Sequence, residues 1–260
     1  LKAQGASMVF VGFFTGLALW VVGIPAAPAL GLVAGICEFV PYRKGDGTSP
    51  RDESTYPVFA AAGIAGVRVD IRGSGESDGV IDGEYTPLEL ANACELIAWI
   101  AAQPWSDGRV GMYGGSYNGF TQWAALKHRP RALKAIAPSA TVAPGIDVPM
   151  EGGIFLNFMY PWPFYAASNR SLDDARYGDS ARWAALNGAY RDLPAIDGEP
   201  NPVFTRWLQH PDYDAYWQAM IPQGDEFAGF DIPVLATTGY FDGGQIGALH
   251  YFREHLRHRP

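Results

Sequence analysis

Downstream of residue 31 the hydrophobic pattern switches between two periods. Short apolar runs at Leu32–Val40, Val67–Ile71, Arg109–Tyr113, Leu133–Pro138 and Ile232–Thr238 predict five strands. Several are nearly continuous aliphatic and β-branched stretches, the pattern of strands buried on both faces of a parallel sheet. Between the second and third runs, Thr86-Pro87-Leu88-Glu89 reads as a capping box with proline at the first helical position. Leu90, Cys94, Ile97 and Ala101 then recur on one face until Pro104 ends the helix. Further helical stretches are predicted over Thr121–His128 and Gly243–Leu256. Strand and helix in alternation predict an α/β open sheet.

The alternation stops near residue 140 and resumes near 231. The intervening segment, 141–230, carries short helical patches, many prolines and an aromatic cluster of Phe155, Phe158, Tyr160, Trp162, Phe164 and Tyr165. It predicts a helical cap inserted into a sheet domain made of 32–140 and 231–260. The cluster reads equally as the cap's own core and as the wall of a pocket. Residues 1–31 are a separate problem, because no charge occurs from Ala3 to Cys37. Met8–Ile24 sits at the short edge of a bilayer span and Ala27-Pro28-Ala29 mimics a signal-cleavage site, yet Lys2 is the only positive charge upstream. A signal segment, a membrane anchor, buried core and a start foreign to the domain all fit, so cytoplasmic and exported locations both stay open.

Composition narrows the class. The 260 residues are 48% hydrophobic and only 18% charged, enough for one large packed domain with an insertion. A net charge of −8 is the wrong sign for a chain that neutralises phosphates, so no nucleic-acid partner is expected. Cys37 and Cys94 are too few and too far apart for a disulfide scaffold or a zinc site, and read as ordinary buried thiols.

The most informative segment is Gly114-Gly115-Ser116-Tyr117-Asn118-Gly119, between the third strand and a helix. A serine in so tight a strand-to-helix turn has its hydroxyl held out at the carboxyl end of the sheet, and flanking glycines let helix and strand approach. The strict G-x-S-x-G pattern is not met, because Asn118 replaces the second glycine. On spacing alone a nucleophilic serine and a plain glycine-rich turn both remain. With the neighbouring motifs the choice closes. The segment resembles the G-x-S-Y-x-G elbow of the cocaine-esterase-like serine hydrolases, a family that includes X-prolyl dipeptidyl peptidases and α-amino-acid ester hydrolases. Pro41-Tyr42-Arg43-Lys44, Val69-Asp70-Ile71-Arg72-Gly73-Ser74-Gly75, Pro104-Trp105-Ser106-Asp107-Gly108, Leu133-Lys134-Ala135-Ile136 and Gly239-Tyr240-Phe241-Asp242-Gly243 match in the same order, over roughly residues 32–260.

The resemblance implies an α/β-hydrolase fold, a mostly parallel sheet with a helical cap, and a cofactor-free serine hydrolase. Its substrates would be small-molecule esters or amides, or short peptides including X-prolyl ones, cleaved through an acyl-enzyme. It implies Ser116 as nucleophile and Asp242 as the carboxylate that orients the catalytic imidazole. The Tyr42 phenol and the Tyr117 backbone N–H would be the oxyanion donors. Read without the family, Asp242 is also a good helix N-cap and Tyr42 a half-buried loop aromatic. No histidine is placed correctly. In this fold the base follows the acid after one more strand, whereas His128 ends the nucleophile helix, His210 lies in the cap, and His250, His255 and His258 fall on the helix after Asp242. The expectation is that the base, the end of the fold and the family's jelly-roll domain lie beyond Pro260, and that residues 1–260 alone are inactive. A different class of reading, a non-catalytic, membrane-tethered binding protein on a degenerate hydrolase domain, would also account for the apolar start and the missing base.

Other signals are weaker. Arg72-Gly73-Ser74-Gly75 follows a strand, but Asp78 stands where a dinucleotide fingerprint needs glycine, so the stretch reads as a structural loop. Asp46, Asp52 and Glu53 read as a solvated loop charge run and not as metal ligands. Asp147 and Glu151 lie where a cap carboxylate could hold a substrate ammonium, with surface charges the better reading. Oligomeric state and acyl specificity are not legible.

Overall fold

Four parallel strands and the helices that connect them set out the frame in the computed structural model, which describes residues 36–45, 49–166 and 174–259. The strands are β1 (Ile36–Val40), β2 (Gly66–Asp70), β3 (Val110–Gly115) and β4 (Leu133–Ser139), in the sheet order β2-β1-β3-β4. β1 pairs with β2 from Ile36↔Gly66 to Val40↔Asp70, and β3 with β4 from Val110↔Leu133 to Gly115↔Ser139. The order steps outward in both directions from the middle, as right-handed crossovers on alternate faces produce.

The fifth predicted strand is present as pairing without a continuous ladder. Residues 232–238 run parallel to β4 through the bridges Ile136↔Val234 and Ser139↔Thr237. Leu235 N–H donates to Ile136 O at 3.0 Å and Thr237 N–H to Pro138 O at 3.0 Å. Pro138 and Pro233 have no N–H to give, which removes alternate donors and breaks the run.

Helix α1 (Ser49–Ala61) falls where the sequence predicts a solvated loop. Asp52 is buried there, with Arg68 Nε at 2.6 Å and Arg51 at 2.7 Å, so this carboxylate is the anchor of a helix on β2; Glu53 is exposed and Asp46 lies outside the described residues. Helix α2 (Pro87–Ala101) opens with the predicted capping box: Glu89 N–H donates to Thr86 Oγ1 at 3.4 Å and Thr86 N–H to Glu89 Oε1 at 2.9 Å. It buries Leu90, Ala93, Ile97 and Ile100. Cys94 is a half-buried thiol, while Cys37 lies in β1 and its side chain is outside the described residues. Helix α3 (Tyr117–Lys127) is buried along most of its length. Gln122, fully buried, donates to Gly114 O at 3.1 Å and Asn118 O at 2.8 Å and accepts from Ala137 N at 2.9 Å, tying α3 to β3 and β4 at once.

Residues 141–230 hold the hairpin β5 (Met150–Glu151) and β6 (Ile154–Phe155), then short helices: α4 (Trp162–Ala166), α5 (Asp174–Tyr177), α6 (Ser180–Ala185), α7 (Leu193–Asp197), α8 (Pro202–Leu208) and α9 (Ala215–Gln218). None is long enough to be stable alone. They pack through aromatics: Tyr160 lies edge-on to Phe204 at 5.0 Å and to Trp183 at 5.9 Å, and Trp207 and Trp217 are fully buried. The last helix, α10 (Gln245–His258), returns to the sheet and stacks Tyr251 on Trp123 of α3 at 4.9 Å. No helix of the described residues is long and apolar enough to cross a membrane, and the apolar stretch Met8–Ile24 lies outside them.

Candidate active site

Ser116 terminates β3. Its N–H makes the last rung of the ladder, to Ser139 O at 2.9 Å, and its carbonyl then accepts from Gly119 N at 2.9 Å and Phe120 N at 3.1 Å to start α3. Serving both elements in one residue forces φ 59°, ψ −121°, a conformation that costs a non-glycine residue about 1–3 kcal/mol. The Ser116 side chain is left exposed while Tyr117, Asn118 and Gly119 behind it are buried. A β-carbon on Gly119 would sit 2.4 Å from Thr141 Oγ1, so only glycine lets α3 close on the strand that follows Ser139.

Tyr42 comes from the turn after β1, next to β3 in the sheet. Its hydroxyl lies near the Ser116 side chain and the backbone of Tyr117, both of which favour the ionised phenol, yet burial outweighs them and pushes the phenol above its ordinary range, so it stays a neutral O–H. The ring stands edge-on to Tyr117 at 6.5 Å and to Trp162 of α4 at 5.9 Å. The aromatic cluster therefore divides: Tyr160 is buried among its neighbours, and Trp162 packs against Tyr42.

Behind these residues lie two buried carboxyl groups that sequence reasoning did not single out for chemistry. Glu84 Oε2 accepts from Trp162 Nε1 at 2.6 Å. Burial, helped by the charge of Glu89, pushes its carboxyl up to about 8. Glu89 accepts the Tyr117 hydroxyl on Oε2, and burial pushes it up to about 7. Glu89 was visible only as the third residue of a capping box, and nothing local in Gly83-Glu84-Tyr85 marks Glu84.

Asp242 follows residues 232–238 and is exposed; its Oδ1 accepts from Gly244 N at 2.7 Å, ahead of α10. Ser116 and Asp242 thus leave the carboxyl ends of β3 and of the 232–238 segment, with β4 between them. The histidines are engaged elsewhere. His210 bonds Asp214 at 2.7 Å and stacks on Tyr216, His255 packs on Phe230 and Trp123, and His258 lies 3.4 Å from Asp225. His250 is half-buried, and burial pulls its imidazole below the ordinary value; His128 is the exposed C-cap of α3. Asp147, expected as a surface charge, is buried instead. It accepts from Ala143 N at 2.7 Å and Gly247 N at 2.8 Å, with its carboxyl pushed up to about 6 by burial. That pairing occupies both oxygens, while Glu151 is exposed on β5. At the end of β2, Asp70 accepts from Glu76 N at 3.0 Å, which closes the glycine-rich loop that follows, and from Lys44 N at 2.6 Å, which ties it to the turn after β1. Among the described residues no group of three or more His, Cys, Asp or Glu side chains could hold a metal ion.

The sequence model of the X-Pro dipeptidyl-peptidase (S15) family matches residues 30–259. This chain belongs to the X-Pro dipeptidyl-peptidase (S15) family. Within reach of that family, cocaine esterase from Rhodococcus sp. (strain MB1 Bresler) is 33% identical over 223 residues, covering 78% of this chain and 38% of the esterase. The chain therefore spans well under half the length of that relative. Among solved structures, an aminopeptidase from a marine sediment Thaumarchaeota archaeon superposes with a TM-score of 0.61 at 21% identity, over 86% of this chain and 42% of that one. An α-amino acid ester hydrolase gives 0.60 at 22%, with the same coverage. These likenesses show the fold, which is that of the α/β hydrolases.

Proposed function

We propose that the chain carries the nucleophile and oxyanion hole of a serine hydrolase that cleaves ester or amide acyl bonds, X-prolyl dipeptidyl bonds among them. The substrates are small esters, amides or short peptides. The observation that carries the reading is the strained, exposed Ser116 with the Tyr42 hydroxyl and the Tyr117 N–H beside it. In this reading the Ser116 hydroxyl attacks the acyl carbon and the carbonyl oxygen becomes an oxyanion between the two donors. Collapse expels the leaving group and leaves the acyl group on Ser116 until water removes it. Asp242 orients the imidazole that takes the serine proton; none of the five histidines stands at the pair, so no residue of 1–260 is assigned that role. We assign 32–140 and 231–260 to the hydrolase domain and 141–230 to a cap that lines the acyl pocket, Trp162 being the support for that placement.

The test is labelling of the full-length gene product with a fluorophosphonate probe, beside turnover of p-nitrophenyl esters and of an X-Pro-p-nitroanilide. Labelling and turnover lost together in Ser116→Ala are expected, with kcat down about 10⁶-fold. A Ser116→Ala protein that still turns over ester at the wild-type rate sinks the reading, and the ratio of the two substrates sorts esterase from dipeptidyl peptidase.

A further inference from the structure

The two buried glutamates do not belong to the nucleophile, the oxyanion donors or the acid, yet they touch the residues behind all but the last. Tyr117 contributes its backbone N–H on one side of the elbow and sends its phenol to the other, where the hydroxyl donates to Glu89 Oε2 and accepts from Tyr85 N at 3.3 Å. Tyr85 stacks on the Tyr117 ring at 4.7 Å and is itself held at φ 57°, a strained conformation for an aromatic residue. Glu89 uses its other oxygen for the Thr86 N–H at 2.9 Å and the Thr86 hydroxyl at 3.2 Å, which fixes the carboxyl to the first turn of α2. Glu84, two residues before that turn, holds the Trp162 indole, whose ring meets Tyr42 edge-on. Both donors to the oxyanion are therefore braced from one short segment, Glu84–Glu89.

We propose that Glu89 and Glu84 are positioning residues for the oxyanion hole, Glu89 fixing the Tyr117 N–H through its phenol and Glu84 fixing the Tyr42 hydroxyl through Trp162. The proposal rests on Ser116 being the nucleophile. Neither carboxyl contacts the reacting atoms, so the effect is on geometry: a displacement of about 1 Å at such donors costs up to about 100-fold in rate. A carboxyl that merely stabilised the fold would leave the kinetics of the folded enzyme alone.

The experiment compares Tyr117→Phe, Glu89→Gln and their combination in the full-length gene product, with Ser116→Ala as control and Tm recorded for each. Phenylalanine keeps the ring and the backbone N–H and removes only the strut. Glutamine has one acceptor oxygen and can keep Thr86 or Tyr117 but not both. Each single variant is expected to lower kcat for p-nitrophenyl acetate about tenfold, with KM within about twofold, and the double variant to lose no more than either single. Glu84→Leu, which releases Trp162, is expected to lower kcat similarly while raising KM for bulky acyl groups. Folded Tyr117→Phe and Glu89→Gln enzymes within twofold of wild-type kcat, beside a dead Ser116→Ala, overturn this proposal and leave the serine-hydrolase reading standing. Losses that multiply in the double variant also overturn it. Wild-type turnover that does not depend on Ser116 overturns the functional reading and this proposal with it.

Discussion

The residues behind the exposed Ser116 are tied together from the turn after β1, from α2 and from α4, whereas Asp242 is held mainly by its own turn. At the serine, Tyr42, Glu89 and Trp162 arrive from three parts of the chain and interlock. At the acid, Asp242 accepts from Gly244 N and its N–H donates to Gly239 O at 3.3 Å, while neighbouring Phe241 is 95% exposed. The long-range clip of that side is Asp147, reaching Gly247 of α10 across a close approach: a β-carbon on Gly247 would lie 2.4 Å from both Asp147 Oδ2 and Thr141 O. In the proposed site the oxyanion half is held by the core, and the acid half by a local turn plus one buried carboxylate. Substitutions should therefore separate the halves.

Between the two halves, the larger effect is expected at the acid. Asp242→Asn keeps an oxygen for Gly244 N–H, so the turn and the Tm should survive, while loss of the charge that holds the imidazolium lowers kcat about 10⁴-fold. Steady-state kinetics on the full-length protein decide it, and a loss under tenfold moves the acid to another residue. Next comes Tyr42→Phe, which removes one oxyanion donor and keeps the ring packing against Trp162. Its expected cost is about 10²–10³-fold in kcat, or about 3–4 kcal/mol, with little change in KM.

How much of this was legible follows from where the information sits. The sheet, α2 and its capping box are local patterns, and Thr86, Glu89 and Pro87 carry them within four positions. The strand-to-helix turn at Ser116 is legible because it needs small residues at fixed offsets, whereas the role of its hydroxyl rests on the family resemblance. Asp52 and Asp147 misled because a carboxylate reads as solvated unless its partners are known, and those partners, Arg68 and Gly247, are distant in sequence. Glu84 was invisible for the same reason: its indole partner is 78 residues away.

The two halves also carry buried carboxyl groups that titrate in different windows. A carboxyl raised to about 8, as at Glu84, keeps its proton in the fold while the unfolded chain has released its own above the ordinary 4.5. Stability contributed by that retained proton is fullest below pH 4.5 and falls as pH rises to about 8, where the folded group ionises too. Thermal denaturation of wild type should show Tm declining across that window. Glu84→Gln, which keeps an acceptor for Trp162 Nε1, should flatten the decline by about 5 °C. An unchanged slope would mean that Glu84 ionises freely in the fold.

At the acid half the same logic gives a smaller and lower window. Asp147 is raised from 3.8 to about 6 because burial outweighs its two N–H donors, so stability falls between those values and is level above. Asparagine in its place has one acceptor for two donors, Ala143 N and Gly247 N, and sets an amide N–H against the second. That mismatch costs about 1–2 kcal/mol, but the variant no longer desolvates a charge at pH 7, so the two terms oppose and the net change should be about 1 kcal/mol or less. The diagnostic is the pH profile of denaturation midpoints: Asp147→Asn should make the slope between pH 4 and 6 shallower and leave the Glu84 decline, which runs on to about pH 8, intact. If the variant removed both slopes, the two halves would be one titrating unit and the division between a core-held oxyanion side and a clipped acid side would fail.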